Sequence, residues 1–135
     1  MFRAAPRRAN TTVFYDIAGN ITGVTDGDGN YTSYSYGDSY SDSGNKNAYA
    51  HVTTVTNALG QQSLYEWDYS IGSMTVATDP NGVQTKLAYG DPLDRLTQIR
   101  RAAGVSGLEA QTNVTYTSLT EIQQHDDQNV TDDTV

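Results

Sequence analysis

One short turn motif recurs along the chain and constrains its fold more than any other feature. A small apolar residue, Thr, Asp or Asn, two variable residues and then Gly stand at residues 24–29, 55–60 and 77–82. A looser copy lies at residues 100–104, and a fifth turn is predicted at residues 126–129. Self-similarity at intervals of roughly 20 to 50 residues is typical of repeat proteins. The chain is therefore predicted to be an array of similar units joined by turns.

The first polar residue and the Gly of each copy are expected to form the tip of a hairpin. Asp and Asn accept turn hydrogen bonds, and Gly adopts the positive φ that tight turns need. These residues are Asp26 and Gly29, Asn57 and Gly60, and Asp79 and Gly82. The spacing is 22 residues from Asn57 to Asp79 but 31 from Asp26 to Asn57. We assign the excess to a lengthened loop at residues 38–47, which is rich in Gly, Ser, Asp and Asn.

Between the turns, side chains alternate with a period of two, which predicts strands rather than helices. The alternating residues are Tyr34 and Tyr36, Tyr65, Trp67 and Tyr69, Met74 and Val76, Leu87 and Tyr89, and Val114 and Tyr116. Only 24 of 135 residues are Leu, Ile, Val or Phe, whereas ten are Tyr. This composition excludes a thick aliphatic core and favours a sheet with one aromatic face. We predict an all-β fold, a ribbon of antiparallel β-hairpin repeats with one aromatic and one mostly polar face.

A second motif precedes some of these turns. Tyr15-Asp16 is followed by Gly19-Asn20-Ile21-Thr22, and Tyr89-Gly90-Asp91 is followed by Arg95-Leu96-Thr97. The pattern resembles the Rhs, or YD-repeat, family. Under this resemblance the repeat-motif residues are Tyr15, Asp16, Gly19, Asn20, Tyr89, Asp91, Arg95 and Tyr116, together with the turn residues given above. The chain departs from the pattern where Gly90 is inserted, where Asp94 replaces the bend Gly, and where residues 67–72 are one residue longer.

The resemblance implies a fragment of a YD-repeat spiral shell. In bacterial polymorphic toxins and insecticidal toxin complexes such a shell encloses a toxic polypeptide, and a similar shell in teneurins serves cell adhesion. Residues 11–127 are then the hairpin repeats, residues 1–10 a disordered or irregular lead-in, and residues 128–135 a frayed acidic tail. The resemblance further implies a non-catalytic, structural part of a secreted or cell-surface protein. Its partners would be the remainder of the repeat shell and an enclosed toxin or other effector polypeptide.

The charge and the cysteine content exclude other classes of protein. Sixteen acidic and eight basic residues give a net charge of −8, which disfavours nucleic acid and anionic membranes as partners. No apolar run approaches the roughly 18 residues of a membrane span, and no apolar run follows the arginines of residues 1–10. We therefore expect neither a membrane span nor a signal peptide in this chain. The absence of Cys excludes disulfides and thiolate metal sites.

Two acidic segments offer possible chemistry. Residues 26–30 place oxygen atoms at alternating positions, as a Ca²⁺ loop does, but Tyr31 and Gly37 stand where an EF-hand has Gly and Glu. Asp91 and Asp94 lie close enough in sequence to form a carboxylate pair around a bend. In both segments we favour the simpler interpretation, in which Asp accepts turn hydrogen bonds. Neither a metal nor a catalytic site is predicted.

The remaining candidates are rings. His51 and His125 lie 74 residues apart without Cys or a second ligand nearby, so we predict surface residues and no zinc site. Tyr65, Trp67 and Tyr69 form a row that could stack against sugars or protein, or serve as the packing face of the ribbon. We favour packing, because the chain has little other apolar area to bury. The sequence thus predicts no enzyme and no cofactor, and the alternative function is a carbohydrate- or cell-surface-binding β module.

Overall fold

A computed structural model describes residues 10–37, 49–118 and 121–128. These residues form ten β strands and no helix. The strands are β1 (Thr12–Tyr15), β2 (Ile21–Thr25), β3 (Tyr31–Ser35), β4 (Thr54–Thr56), β5 (Gln62–Asp68), β6 (Ser73–Thr78), β7 (Gln84–Ala88), β8 (Gln98–Arg101), β9 (Ala110–Tyr116) and β10 (Ile122–Gln128). All ten join one antiparallel sheet in chain order. The all-β hairpin ribbon predicted from the sequence is therefore confirmed.

The turns of the sheet lie along its two long sides, because every strand runs opposite to the one before it. The Tyr-Asp motifs lie on the side where the odd-numbered strands end, and we call this the YD side. It includes the turns at residues 16–20, 69–72 and 90–97. The opposite side, which we call the TD side, carries the turns at residues 26–30 and 57–61 and, further along the chain, those at residues 79–83 and 102–109. The two sequence motifs thus alternate between the two sides of one ribbon.

One face of the sheet is aromatic and aliphatic. The register places Tyr34 opposite Val55, Tyr65 opposite Ala77, and Leu87 opposite Ile99. These side chains are half-buried by their neighbours on the same face. Among the described residues no hydrophobic side chain is fully buried. The described sheet is a single layer whose apolar face, the aromatic face, lacks a second layer.

The opposite face is mostly polar. Side-chain hydrogen bonds cross neighbouring strands from Gln62 to Thr56 at 3.3 Å and from Gln98 to Asn113 at 3.1 Å. Lys86 lies opposite Arg100 on this face. Hydrogen-bonded polar pairs across strands stabilise a sheet by about 0.2–1 kcal/mol each, whereas the like charges of Lys86 and Arg100 oppose each other. The polar face is therefore suited to water, and the aromatic face is not.

One aromatic pair lies on the polar face, at the start of the ribbon. The rings of Phe14 and Tyr31 meet edge to face with centroids 5.9 Å apart. The Tyr31 ring covers Gly23, where an added Cβ would lie 2.3 Å from the tyrosine Oη. Gly23 therefore allows the close approach of the Tyr31 ring, and its backbone conformation does not call for Gly.

We expect Gly23→Ala to destabilise the protein by about 1–2 kcal/mol, because the methyl group forces Tyr31 away from Phe14. Urea unfolding of the variant measures the loss. In a Tyr31→Ala background the same substitution should cost almost nothing, since the clashing ring is gone. An equal cost in both backgrounds would mean that the clash is not the cause.

The predicted alternation of Met74 and Val76 on one face is wrong. A β-bulge shifts the register of the hairpin, so that Glu66 pairs with Val76 whereas Trp67 pairs with Met74. Met74 therefore lies with Trp67 on the aromatic face, and Val76 lies with Glu66 on the polar face. Thr75 is the extra residue of the bulge. A bulge also shifts the register of the β1–β2 hairpin. Each bulge lies next to a turn of the YD side, where it redirects the strand into the turn.

The fifth predicted turn, at residues 126–129, is also wrong. Residues 126–128 belong to β10, and Asp126 pairs with Thr112 of β9. The segment has Asp and Asn but no Gly at the fourth position, so pairing with β9 prevails. The looser fourth copy does coincide with a turn, because Ala102 and Gly104 adopt φ of 50° and 81°. Residues 1–9, 38–48 and 129–135 lie outside the described residues, and with them most of the predicted lead-in, the loop at 38–47 and most of the tail.

Candidate functional site

Five turns in the described part of the chain share one geometry. In each, the side-chain oxygen of the first residue accepts hydrogen bonds from the backbone N–H groups two and four residues later, at 2.6–3.1 Å. The first residues are Asp16, Asp26, Asn57, Asp79 and Asp91. The backbone N–H of the fourth residue also donates to the carbonyl of the first. The YD and TD motifs therefore form the same turn.

The fourth residue of each turn has positive φ. It is Gly in four turns, with φ between 79° and 89° for Gly19, Gly29, Gly60 and Gly82. Asp94 occupies the same position in the fifth turn with φ 53°. The substitution of Asp for the bend Gly leaves the turn geometry intact but places a side chain in the left-handed region.

In four of the five turns the fifth residue closes the turn with a side-chain bond, whereas Val83, the fifth residue of the turn at residues 79–83, has no polar side chain to form one. Asn30 Nδ2 donates to Asp26 Oδ2 at 2.9 Å, and Arg95 Nε donates to Asp91 Oδ2 at 2.5 Å. In the turn at residues 57–61 the direction is reversed, because Asn57 Nδ2 donates to Gln61 Oε1 at 2.8 Å. These bonds occupy the carboxylate oxygens that the calcium and carboxylate-pair alternatives would need.

The turn bonds change the pKa of the carboxylates. The side-chain and backbone hydrogen bonds from Asn30 hold the pKa of Asp26 below its ordinary value, and the backbone bond from Asn20 does the same for the pKa of Asp16. At Asp91 burial raises the pKa, but the hydrogen bonds and the charge of Arg95 outweigh it and the pKa is lowered. Each carboxylate thus binds its turn in the ionised form.

We expect the protein to lose stability as the pH falls below about 4, the ordinary pKa of Asp. A carboxylate with a lowered folded pKa stabilises the fold above its unfolded pKa, and this stabilisation is lost as pH falls through the folded pKa. Asp26→Asn should keep the turn, since Asn57 already forms one, and should weaken the acid dependence. Thermal unfolding of the wild type and of Asp26→Asn from pH 7 to pH 2 measures this acid dependence of stability. An unchanged pH profile in the variant would contradict this role of Asp26.

Aromatic side chains tie neighbouring strands together on the YD side. Each stands at or just beyond the end of an odd-numbered strand and donates to a backbone carbonyl at or near the start of the preceding even-numbered strand. We call these contacts aromatic bridges. They run from Tyr36 Oη to the Ile21 carbonyl (3.0 Å), from Trp67 Nε1 to Val52 (2.8 Å), from Tyr89 Oη to Met74 (2.9 Å) and from Tyr116 Oη to Leu96 (2.9 Å). They lie on the aromatic face and recur with the repeat.

Two of the bridging rings carry a second partner. The guanidinium of Arg95 lies 3.8 Å above the centre of the Tyr116 ring and forms an ion pair with Asp91 at 2.5 Å. The imidazole of His51 stacks on Trp67, with ring centres 4.3 Å apart and planes 13° apart. The prediction that His51 is a plain surface residue is therefore wrong, because it is half-buried against Trp67.

The candidate binding row is not one continuous strand face. Tyr65 and Trp67 lie in β5, whereas Tyr69 follows the strand and lies in the turn, 5.5 Å from the His51 ring. The other histidine, His125, is exposed and contacts Asp127 at 2.9 Å. Trp67 is held by His51 and by the Val52 carbonyl. This ring is therefore already packed within the chain.

Two features escaped the sequence analysis. Glu109 is only 3 % exposed, and it accepts hydrogen bonds from the Gly104 N–H at 2.6 Å and from Arg100. No local pattern predicts this ion pair, since it spans a hairpin. The bridging role of Tyr36 does have a sequence signal, because Tyr36-Gly37-Asp38 repeats the Tyr-Gly-Asp of the motif at Tyr89.

The chemistry of these residues is structural hydrogen bonding. Among the described residues no three His, Asp or Glu side chains converge as metal ligands. In the same part of the chain no helix is long and apolar enough to cross a membrane. The carboxylates of Asp16, Asp26, Asp79, Asp91 and Glu109 accept hydrogen bonds from backbone amides.

Comparison with known proteins agrees with this geometry. The RHS Repeat family model matches residues 74–106, which extend from β6 to the turn after β8 and include the Tyr89 motif and its turn. Curated proteins provide no match to the chain. RHS repeats are a structural repeat family, generally non-catalytic. Residues 74–106 thus match the RHS, or YD-repeat, family, with which the Tyr-Asp motifs of the sequence agree.

Proposed function

We propose that the chain is a non-catalytic structural segment of an RHS/YD-repeat shell that encloses a toxin or other effector polypeptide. The observation that carries this proposal is the single-layer sheet with a half-buried aromatic face. A contiguous apolar surface of this kind is uncommon on a self-contained soluble domain and marks a surface that other polypeptide covers. The segment is thus one part of a single-layer shell rather than a self-contained globular domain.

The turns and aromatic bridges support a shell built from repeats of the same geometry. Five turns of one geometry set the reversal of the chain, and the aromatic bridges hold β3, β5, β7 and β9 each to the strand before it. Repeats of this kind contact only their neighbours, so the ribbon lengthens by adding units without a new core. The partners are then the remainder of the shell and the enclosed polypeptide. RHS repeats occur in secreted or cell-surface proteins, which agrees with that role.

The packing of Trp67 favours a structural shell segment over a carbohydrate-binding module. A sugar-binding ring needs an open face, whereas one face of Trp67 carries His51 and its indole N–H is bonded to Val52. The row of Tyr65, Trp67 and Tyr69 therefore contributes to the packing of the shell segment.

Co-expression of the chain with the reading frames that flank its gene tests the proposal. We expect a polypeptide from a neighbouring frame to copurify with the repeat protein and to resist protease. Leu87→Asp, on the aromatic face, should expose that polypeptide to protease. Ala88→Asp is the matched control, because Ala88 lies one residue further along on the polar face and is exposed. Absence of any protected polypeptide, or equal exposure in both variants, would overturn the proposal.

A further inference from the structure

A pair of aromatic rings is exposed on the polar face of the sheet. Phe14 of β1 and Tyr31 of β3 are each 46 % exposed, although the other side chains of this face are mostly polar. The four bridging rings differ, because each donates its hydroxyl or indole N–H to a backbone carbonyl. Among the described residues the Tyr31 hydroxyl has no hydrogen-bond partner. The pair therefore presents both apolar ring surface and a polar group to solvent.

The two rings form a corner, which we call the Phe14–Tyr31 corner. The outer end of the Tyr31 ring lies on the backbone of Gly23, because its Oη, Cε2 and Cζ atoms would all be within 2.7 Å of a Cβ at that residue. One face of the Tyr31 ring is therefore turned to the sheet and the other to solvent. Phe14 lies opposite Gly23 on the neighbouring strand, and its ring plane is 79° from that of Tyr31. Phe14 thus stands upright beside the flat Tyr31 ring.

Hydroxyl groups surround this corner. Thr25 lies opposite Tyr31 in the register of β2 and β3, and it also lies opposite the exposed Thr12 of β1. Ser33 lies opposite Gly23. Within the described part of the chain, the side-chain hydroxyls of Thr25 and Ser33 have no hydrogen-bond partner. A flat ring edged by such hydroxyls suits a sugar, because the C–H face of a pyranose packs on the electron-rich face of an aromatic ring while the sugar hydroxyls bond to polar groups at its edge.

The charges near the corner favour a neutral sugar over an acidic one. Asp26 and Asp28 belong to the turn that directly precedes Tyr31. Every Lys and Arg that the structure describes lies at residues 86–101, in β7, in β8 or between them. Because β7 is the fourth strand after β3 in the sheet, these cations are about 19 Å or more away, beyond the Debye length of about 10 Å in 0.1 M salt. None of these described cations can therefore compensate an acidic sugar at the corner.

We propose that the Phe14–Tyr31 corner binds a neutral pyranose ring of a glycan. The sugar stacks its C–H face on Tyr31 and contacts Phe14 with its edge, and the Tyr31 hydroxyl donates a hydrogen bond to a sugar oxygen. The corner lies on the polar face, opposite the aromatic face, so sugar binding here neither requires nor excludes an enclosed polypeptide.

Titration of the full chain with simple glycosides, followed by the NMR signals of the protein, tests the proposal. The neutral probes are the methyl glycosides of glucose, galactose and mannose. The acidic probes are the corresponding uronic acid glycosides, in which a carboxylate replaces the CH₂OH group. We expect at least one neutral probe to shift the signals of Phe14, Gly23 and Tyr31 with a Kd of about 1–10 mM, since the contact is small and open. Its acidic counterpart should bind about threefold more weakly, and added salt should reduce this difference.

Three variants separate sugar binding from packing. Tyr31→Phe keeps the ring on Gly23 but removes its hydroxyl, so it should weaken binding about fivefold, the effect of one hydrogen bond, and leave stability unchanged. Tyr89→Phe is the matched control, because the Tyr89 hydroxyl donates to the Met74 carbonyl, and it should lower stability without changing binding. Tyr31→Leu keeps an apolar cover on Gly23 but removes the flat face, so it should weaken binding about tenfold or more.

Circular dichroism and urea unfolding show whether each variant keeps its sheet, and Tyr31→Phe keeps the test decisive if Tyr31→Leu does not fold. The proposal is overturned if no neutral glycoside shifts these signals at about 50 mM, or if the uronic acids bind as tightly as the neutral sugars. Tyr31→Phe binding as the wild type does would overturn it as well. A proline-rich peptide that shifts the same signals when no sugar does would assign the corner to peptide recognition instead.

Discussion

Trp67→Ala should lower the free energy of unfolding by about 2–3 kcal/mol, less than a fully buried Trp because the ring is half-buried. The substitution removes the stacking partner of His51 and leaves the Val52 carbonyl without its indole donor at 2.8 Å. It also removes the ring that pairs with Met74 across the bulge. Urea unfolding followed by far-UV circular dichroism measures the loss.

Two comparisons make this result specific. Leu59→Ala, at a turn residue that is 83 % exposed, should change stability by less than about 0.5 kcal/mol. A glycan array on the wild type and on Trp67→Ala separates packing from binding. If the variant kept its stability and lost a glycan that the wild type binds, Trp67 would be a binding residue and the module alternative would be correct.

Gly82→Val should destabilise the protein by about 2 kcal/mol through backbone strain. Gly82 has φ +82°, and an added Cβ there would meet nothing within 4 Å. Steric contact therefore contributes nothing, and the whole cost comes from the left-handed backbone, which a β-branched residue adopts poorly. Thermal or urea unfolding measures the difference.

Asp94 allows the same argument to be tested in the opposite direction. It holds the equivalent turn position with φ +53°, so Asp94→Gly should stabilise the protein by about 1 kcal/mol. Gly82→Asn, which tolerates positive φ better than Val, should cost less than Gly82→Val. Equal costs for Asn and Val at residue 82, or a loss of stability in Asp94→Gly, would show that backbone strain does not decide these turns.

The turns were predictable because their interactions are local. All the bonds that close the turn at residues 79–83 join residues at most four apart, so the local sequence contains the whole interaction. The same holds for the turn at residues 26–30. The prediction at residues 126–129 was wrong because the pattern there lacks Gly, and seven paired positions with β9 outweighed it.

The bridges and the buried ion pair were not predictable from spacing alone. Trp67 reaches a carbonyl 15 residues earlier, and Glu109 reaches Arg100 across a hairpin. Their partners depend on the register between strands. The bulge at Thr75 shifts that register by one residue, and the alternation in the sequence contains no sign of it.

The sequence by itself determined the class of the fold, the positions of the turns that have Gly as their fourth residue, and the similarity to RHS repeats, because the repeat, the period of two and the turn residues act over a few residues. Only the tertiary structure decided which residues face each other, that Tyr69 leaves the strand, and that His51 packs on Trp67. It also revealed that the aromatic face has no second layer among the described residues. The reason is that strand pairing joins distant segments, and a shift of one residue moves every later side chain to the opposite face.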